Sequence, residues 1–225
     1  MKSVRLWYKK SGLAIYTSHL DMNRCFTRVV RRAEIPIWYT EGFNPKPKMV
    51  FAAPLSIGTE SVCEYMDIRL TERIDEAEAV RCLNSNMTSE MQVLEAYYPE
   101  RKLTELKWMS YTLLINTIDA SDSLAKKCEA FLSGESVEVE KRTKNGDVNV
   151  VDIRPLIKSA TAVFDDECIR ISCVLSADQS AFLNPEYIIK ALRGKVGILS
   201  CEDLTAESYS IMRERAYLSD MNEFR

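Results

Sequence analysis

The chain has 225 residues, 46% of them apolar, enough to enclose one large core or two smaller ones. Thirty basic side chains against 33 acidic ones leave a formal charge of -3, which excludes a uniformly polybasic coat for nucleic acid. Charged residues interrupt every apolar run well before the about 18 residues that a membrane-crossing helix needs, so no membrane contact is expected. The opening residues, Met1 to Trp7, run straight into a strand pattern with no apolar h-region or cleavage site, and a cytoplasmic protein is expected. The cysteines (Cys25, Cys63, Cys82, Cys128, Cys168, Cys173, Cys201) are odd in number and scattered, with no C-x-x-C pair. They form neither a disulfide framework nor a zinc or iron–sulfur motif, so no metal and no cofactor is expected.

In chain order, Val4, Leu6 and Tyr8 alternate with Arg5, Trp7 and Lys9, the period of a half-buried strand. After Lys10-Ser11-Gly12, the run Leu13–Tyr16 predicts a returning strand. Between residues 18 and 33, Met22, Cys25, Phe26, Val29, Val30 and Ala33 recur at helical spacing and make one buried stripe. Extended runs are predicted over 35–39, 49–55 and 62–70, a helix over 75–83, and a strand over 91–98 that Pro99 ends.

Pro99-Glu100-Arg101-Lys102 is a polar break, after which a similar order recurs. A strand is predicted over 108–117 and a helix over 121–132, then a hairpin of 137–143 with 148–153 turning at Asn145-Gly146. A second hairpin joins 160–164 to 168–175 around Asp165-Asp166, a helix over 185–192 stops at Gly194, and 208–218 closes as a strand. The reading is α+β: two tandem ferredoxin-like (β-α-β-β-α-β) modules, residues 1–100 with a basic head and residues 101–225 with an inserted hairpin.

Charge is uneven along this plan. Residues 1–50 carry ten basic and three acidic side chains, a net +7, and the remainder carries -10. On the helix from Ser18, the face opposite the apolar stripe holds Arg24, Arg28, Arg31 and Arg32. Four guanidiniums this close repel one another, and their fork geometry suits phosphate. The alternative is a solvated face paired with acids of the remainder. Ser18 and Asp21 are placed to cap the helix. His19, the only histidine, is the single candidate for imidazole catalysis, with a structural role as its alternative.

The loop Glu41-Gly42-Phe43-Asn44-Pro45-Lys46-Pro47-Lys48 joins a glycine, an aromatic, an amide, two stiffening prolines and two lysines, directly after Trp38 and Tyr39. Aromatics interleaved with cations are what single-stranded nucleic acid requires, since bases offer π faces and phosphates offer charge. Phe43, Asn44, Lys46 and Lys48 are therefore candidate contacts together with the four arginines, and the six basic ones are expected on one surface. The other reading of Phe43 is a core residue beneath a rigid turn. Asp152 and Arg154, two apart, are expected to pair with each other. Glu64 and Asp67 fall on opposite strand faces and make no facing carboxylate pair. Gly194-Lys195-Val196-Gly197 has the spacing of a nucleic-acid clamp, with a helix C-cap at Gly194 as the simpler reading.

Five segments together are more specific: Tyr16-Thr17-Ser18-His19-Leu20-Asp21, Arg31-Arg32-Ala33-Glu34-Ile35-Pro36, Glu41 to Pro47, Ala53-Pro54-Leu55-Ser56-Ile57-Gly58, and Ser61-Val62-Cys63-Glu64-Tyr65. With Lys144-Asn145-Gly146 through Val151-Asp152-Ile153-Arg154-Pro155-Leu156-Ile157, they resemble the bacterial radical-SAM-linked protein family, an uncharacterised domain encoded beside, or fused to, a radical SAM protein. That family usually has histidine where Lys46 stands. The resemblance implies a radical SAM protein encoded nearby as partner and a setting near ribosome and ribonuclease genes. The chain lacks the three-cysteine signature of radical SAM enzymes, a Walker loop and a G-x-G-x-x-G, and is thus expected to be the linked partner and not the radical SAM enzyme itself. The expected function is an RNA-binding adaptor for a radical SAM enzyme in RNA modification or processing. The alternatives are a metal-independent endoribonuclease and a protein-docking module without RNA contact.

Overall fold

Period-two burial along the first strand, β1 (Lys2–Lys10), sets the architecture: Val4, Leu6 and Tyr8 are buried against a helix while Ser3 and Trp7 face the other way. The computed structural model describes residues 2–142, 147–201, 203 and 205–225. The fold is mixed α/β, with antiparallel strand pairing and four α-helices among the described residues. The chain divides into two compact units, residues 1–106 with 218–225, and residues 107–217. The expected boundary at 100/101 therefore moves. Leu103 and Leu106 are buried, and Phe224 returns to lie on Arg5 and Tyr65 of the first unit.

In the first unit β1 leads through a 3-10 turn to α1 (His19–Arg32), then β2 (Met49–Phe51), β3 (Thr59–Leu70), α2 (Glu76–Asn84) and β4 (Met91–Tyr97). The strands lie in the order β4-β1-β3-β2, every neighbour antiparallel. Register places Val4 opposite Ile68 and Leu6 opposite Met66, with Met49 and Phe51 beside them. This apolar face packs on Met22, Phe26, Val29 and Val30 of α1 and on Ala79 and Leu83 of α2.

Three extended runs resolve differently from the sequence pattern. Residues Gly12–Tyr16 form a 3-10 helix instead of a returning strand. Gly12 turns the chain at φ +53°, local bonds from Ala14 to Ser11 and Thr17 to Ala14 replace a ladder, and the buried Lys10 ammonium donates to the carbonyls of Ile15 and Thr17. Residues 35–39 contribute only single bridges, Ile37 to Leu70 and Tyr39 to Pro47. The run from 49 shortens to three paired residues, with the Ala52 N–H still reaching the carbonyl of Tyr65 (2.9 Å) before the chain leaves β3.

The second unit repeats the order: β5 (Trp108–Asn116), α3 (Asp122–Leu132), β6 (Glu138–Arg142), β7 (Val148–Asp152), β8 (Ile157–Asp165), β9 (Cys168–Ser176), α4 (Glu186–Lys195) and β10 (Ser208–Tyr217). Its strand order is β10-β5-β9-β8, again antiparallel, with β6–β7 as a separate hairpin between α3 and β8. The Asn145-Gly146 turn of that hairpin lies outside the described residues.

Two local expectations change here. Asp152 does not pair with Arg154: its Oδ1 accepts the N–H groups of Val137 (2.8 Å) and Arg154 (3.0 Å), while the Arg154 guanidinium donates to the carbonyls of Gly134 and Ile157. These main-chain bonds, and the nearby guanidinium, hold the Asp152 carboxyl below its usual range. α4 runs through Gly194 to Lys195, and it is Gly197, at φ +86°, that ends it by donating to the carbonyl of Leu192. Gly194 is an ordinary helical residue, which removes the C-cap reading at that position.

Candidate functional site

The α1 helix presents the arginines as its stripe requires. Ser18 Oγ accepts the N–H of Asp21 (3.2 Å) and donates to the Asp21 carboxylate (2.7 Å), fixing the entrance. At the exit, Glu34 adopts a left-handed φ of +52°, its N–H reaches Arg31, and the N–H of Ile35 reaches Val30, a complete Schellman closure. Arg24, Arg28, Arg31 and Arg32 are all exposed. Arg24 pairs with Asp21 at 3.2 Å. Among the described residues, Arg28, Arg31 and Arg32 have no carboxylate partner. The half-buried Cys25 lies beside them: burial pushes its thiol up, and Arg28 and Arg32 only partly oppose that.

Residues 38–48 fold as a braced loop. Thr40 N–H donates to Lys46 O (2.9 Å), Lys46 N–H to Thr40 Oγ1 (3.0 Å), and Lys48 N–H to Trp38 O (2.9 Å). Gly42 supplies a φ of +123° at the tip, a conformation other residues rarely adopt. Phe43 is fully exposed, which excludes the core reading, and Asn44, Lys46 and Lys48 are exposed with it.

The eight candidates do not share one surface. Lys48 is bonded through its carbonyl to the N–H of Arg69 and lines a cleft with Ser3, Asp67 and Arg69. Their register neighbours Val4, Ile68 and Leu70 point to α1, so Lys48 lies on the face of the sheet away from the helix. Pairing parity sends Met49 and Phe51 inward and leaves residues 48 and 50 on the other side.

His19 stands at the first turn of α1 with its ring edge-on to Phe51, centroids 5.0 Å apart. It borders a void of about 20 Å³ with Tyr8, Lys10 and Glu64. Phe51 in turn contacts Phe26 of the core, so the imidazole is seated on the apolar layer. Glu64 is buried on this side and Asp67 lies on the other, as their spacing predicts.

Sequence reading missed the basic groups of the opposite face. The cleft there, about 540 Å³, is walled on its far side by Pro99, Glu100, Arg101, Lys102 and Leu103, which the polar pattern marked only as a break between modules. Arg69 is held with its guanidinium 4.8 Å from the Trp38 ring centre. A signal did exist: Asp67 and Arg69 are two apart in β3, charged on the face opposite Met66, Ile68 and Leu70.

The family described as "Uncharacterized protein conserved in bacteria (DUF2344)" matches residues 3–185. The chain belongs to the DUF2344 family. The match spans all of α1, the braced loop and the cleft, and runs through β9 of the second unit. No curated protein matches the sequence. Among solved structures, the chain is similar to one in a Cbf5-Nop10-Gar1 complex, with 8% identity, a TM-score of 0.48, and coverage of 95% of this chain and 48% of that one. It is also similar to an unknown protein from Galdieria sulphuraria, with 10% identity, a TM-score of 0.26, and coverage of 94% and 98%. The chain thus spans about half the length of the first. No helix among the described residues is long and apolar enough to cross a membrane, and no three metal-ligating side chains converge there.

Proposed function

We propose that this protein is an RNA-binding adaptor built from two ferredoxin-like modules, working with a radical SAM enzyme in RNA modification or processing. The module reading is supported by the element order β-α-β-β-α-β with strand order 4-1-3-2 in each unit. The partner is implied by the motifs that resemble the radical-SAM-linked family. The observation that carries the RNA reading is the fully exposed Phe43 on a braced loop in the same unit as three exposed guanidiniums that have no carboxylate partner among the described residues. An aromatic without a packing role offers a stacking platform, and unneutralised arginines offer phosphate contacts.

Crosslinking in cells followed by sequencing of bound RNA tests the reading directly. With an RNA in hand, Phe43→Ala should cost about 1–3 kcal/mol of binding if a base stacks there. Arg28→Gln should lower the slope of log affinity against log salt by the share of one phosphate contact, about 0.7 to 1 unit, without changing sequence preference. Binding to protein but not RNA would replace this function with a docking module. RNA cleavage that persists in chelator and disappears in His19→Ala would replace it with an endoribonuclease.

A further inference from the structure

We propose that the cleft on the sheet face away from α1 binds a single nucleotide, at a site separate from the α1 arginines and from Phe43 at the tip of the braced loop. Its volume of about 540 Å³ lies within the range of small-ligand sites, about 300–1,000 Å³. The lining offers both kinds of contact that a nucleotide makes, cationic and apolar. Lys48 and Arg69 stand on adjacent backbone segments joined by a 3.0 Å bond, and among the described residues neither has a carboxylate partner. Arg69 is further immobilised on Trp38, so a fork of donors is placed before any phosphate arrives. Val50 and Pro99 provide an apolar wall for a base or sugar.

The acid in the floor does not oppose an anion. Asp67 is engaged by Arg5 through two bonds, 2.7 and 3.0 Å, and the same guanidinium donates to the carbonyl of Arg101 at 2.9 Å. This buried arginine therefore ties the far wall to the sheet and keeps the cleft formed without ligand. Arg101 and Lys102 add positive charge on that wall, Arg101 sharing a 3.4 Å contact with Glu105. Glu100 remains as an acceptor for a base amino group or a ribose hydroxyl.

The nucleotide is either free or carried by an RNA strand, and the test separates these. Calorimetric titration of the full chain with the four nucleoside monophosphates should show saturable binding of at least one. Lys48→Gln and Arg69→Gln should each weaken it about tenfold or more, and Arg28→Gln and Phe43→Ala should leave it unchanged. Arg69→Lys, which keeps the charge but not the fork or the stacking, should also weaken it, and thermal melting of each variant separates lost binding from lost folding. If no free nucleotide saturates but an oligonucleotide containing 4-thiouridine crosslinks within residues 99–103, the nucleotide is strand-borne. The proposal fails if neither occurs, if inorganic phosphate binds as tightly as the nucleotides, or if the folded Lys48 and Arg69 variants bind like the parent. Because the mononucleotide titration needs no contact to α1, failure of the RNA-adaptor reading leaves it decisive.

Discussion

Arg5 is fully buried, and it is tolerated there because almost every direction around it is occupied. Burial works against its charge, but the bond and charge of Asp67 outweigh that and raise its pKa above that of a free guanidinium. The Phe224 ring covers it at 4.8 Å. Asp67→Ala should therefore lower stability by about 2–4 kcal/mol, read as the urea midpoint, because it leaves a desolvated cation. Arg5→Met combined with Asp67→Leu should recover most of that loss, since an apolar pair of similar volume carries no desolvation penalty. A second carboxylate offers a pH test. Glu207 accepts from Thr117 Oγ1, the N–H of Ile118 (2.9 Å) and the N–H of Cys201 (2.7 Å), and these bonds, the Thr117 hydroxyl foremost, hold it below its ordinary 4.5. A depressed pKa means the stabilisation is complete above the ordinary value and lost as pH falls through the lowered one. Parent and Glu207→Gln should thus differ in urea midpoint at pH 6 and converge as the pH falls through the lowered value.

At the scale of elements, α1 shows what a sequence makes legible. Its apolar spacing and N-terminal cap are local features, and the helix starts and packs where they indicate. Its end is less readable, because the left-handed residue that closes it is Glu34 rather than glycine. Glu34→Gly should stabilise the protein by about 0.5–1 kcal/mol, seen as a higher melting temperature, since glycine avoids the Cβ penalty of that conformation but loses more chain entropy. The same distinction explains the misreadings. Leu13–Tyr16 has a strand-like composition, but the bonds to Ser11 and the Lys10 ammonium that bend it depend on groups outside the run. Asp152 and Arg154 have complementary charges two residues apart, yet each finds nearer main-chain partners. Lys48 belongs with Lys46 in sequence, and only the register of β2 on β3 reveals that it turns to the other face. The cleft was illegible for a further reason: Arg69 and Arg101 come together through a sheet and a connection, and no spacing rule encodes that meeting.

For the whole molecule, the question is how a chain of net charge -3 can bind a polyanion. The answer depends on distance. In the proposed complex the +7 of residues 1–50 would act at contact, through the arginines of α1, while the -10 of the remainder would act over longer range. Salt separates the two, because the Debye length is about 30 Å at 0.01 M and about 10 Å at 0.1 M. In such a complex the acidic remainder would repel an approaching strand at the lowest ionic strength, and modest salt would screen that repulsion before it competes with the proposed phosphate contacts. Affinity for a single-stranded RNA should therefore change little between about 10 and 50 mM salt and then fall linearly in log–log form, with a slope of about -0.7 for each phosphate neutralised. Fluorescence anisotropy over about 10–300 mM, with Arg28→Gln beside the parent, measures both regimes. The variant should flatten the steep limb and leave the shallow one as it was. A straight steep line down to the lowest salt would show that the acidic remainder does not act on the strand, and affinity indifferent to salt throughout would remove the arginine face from the interface.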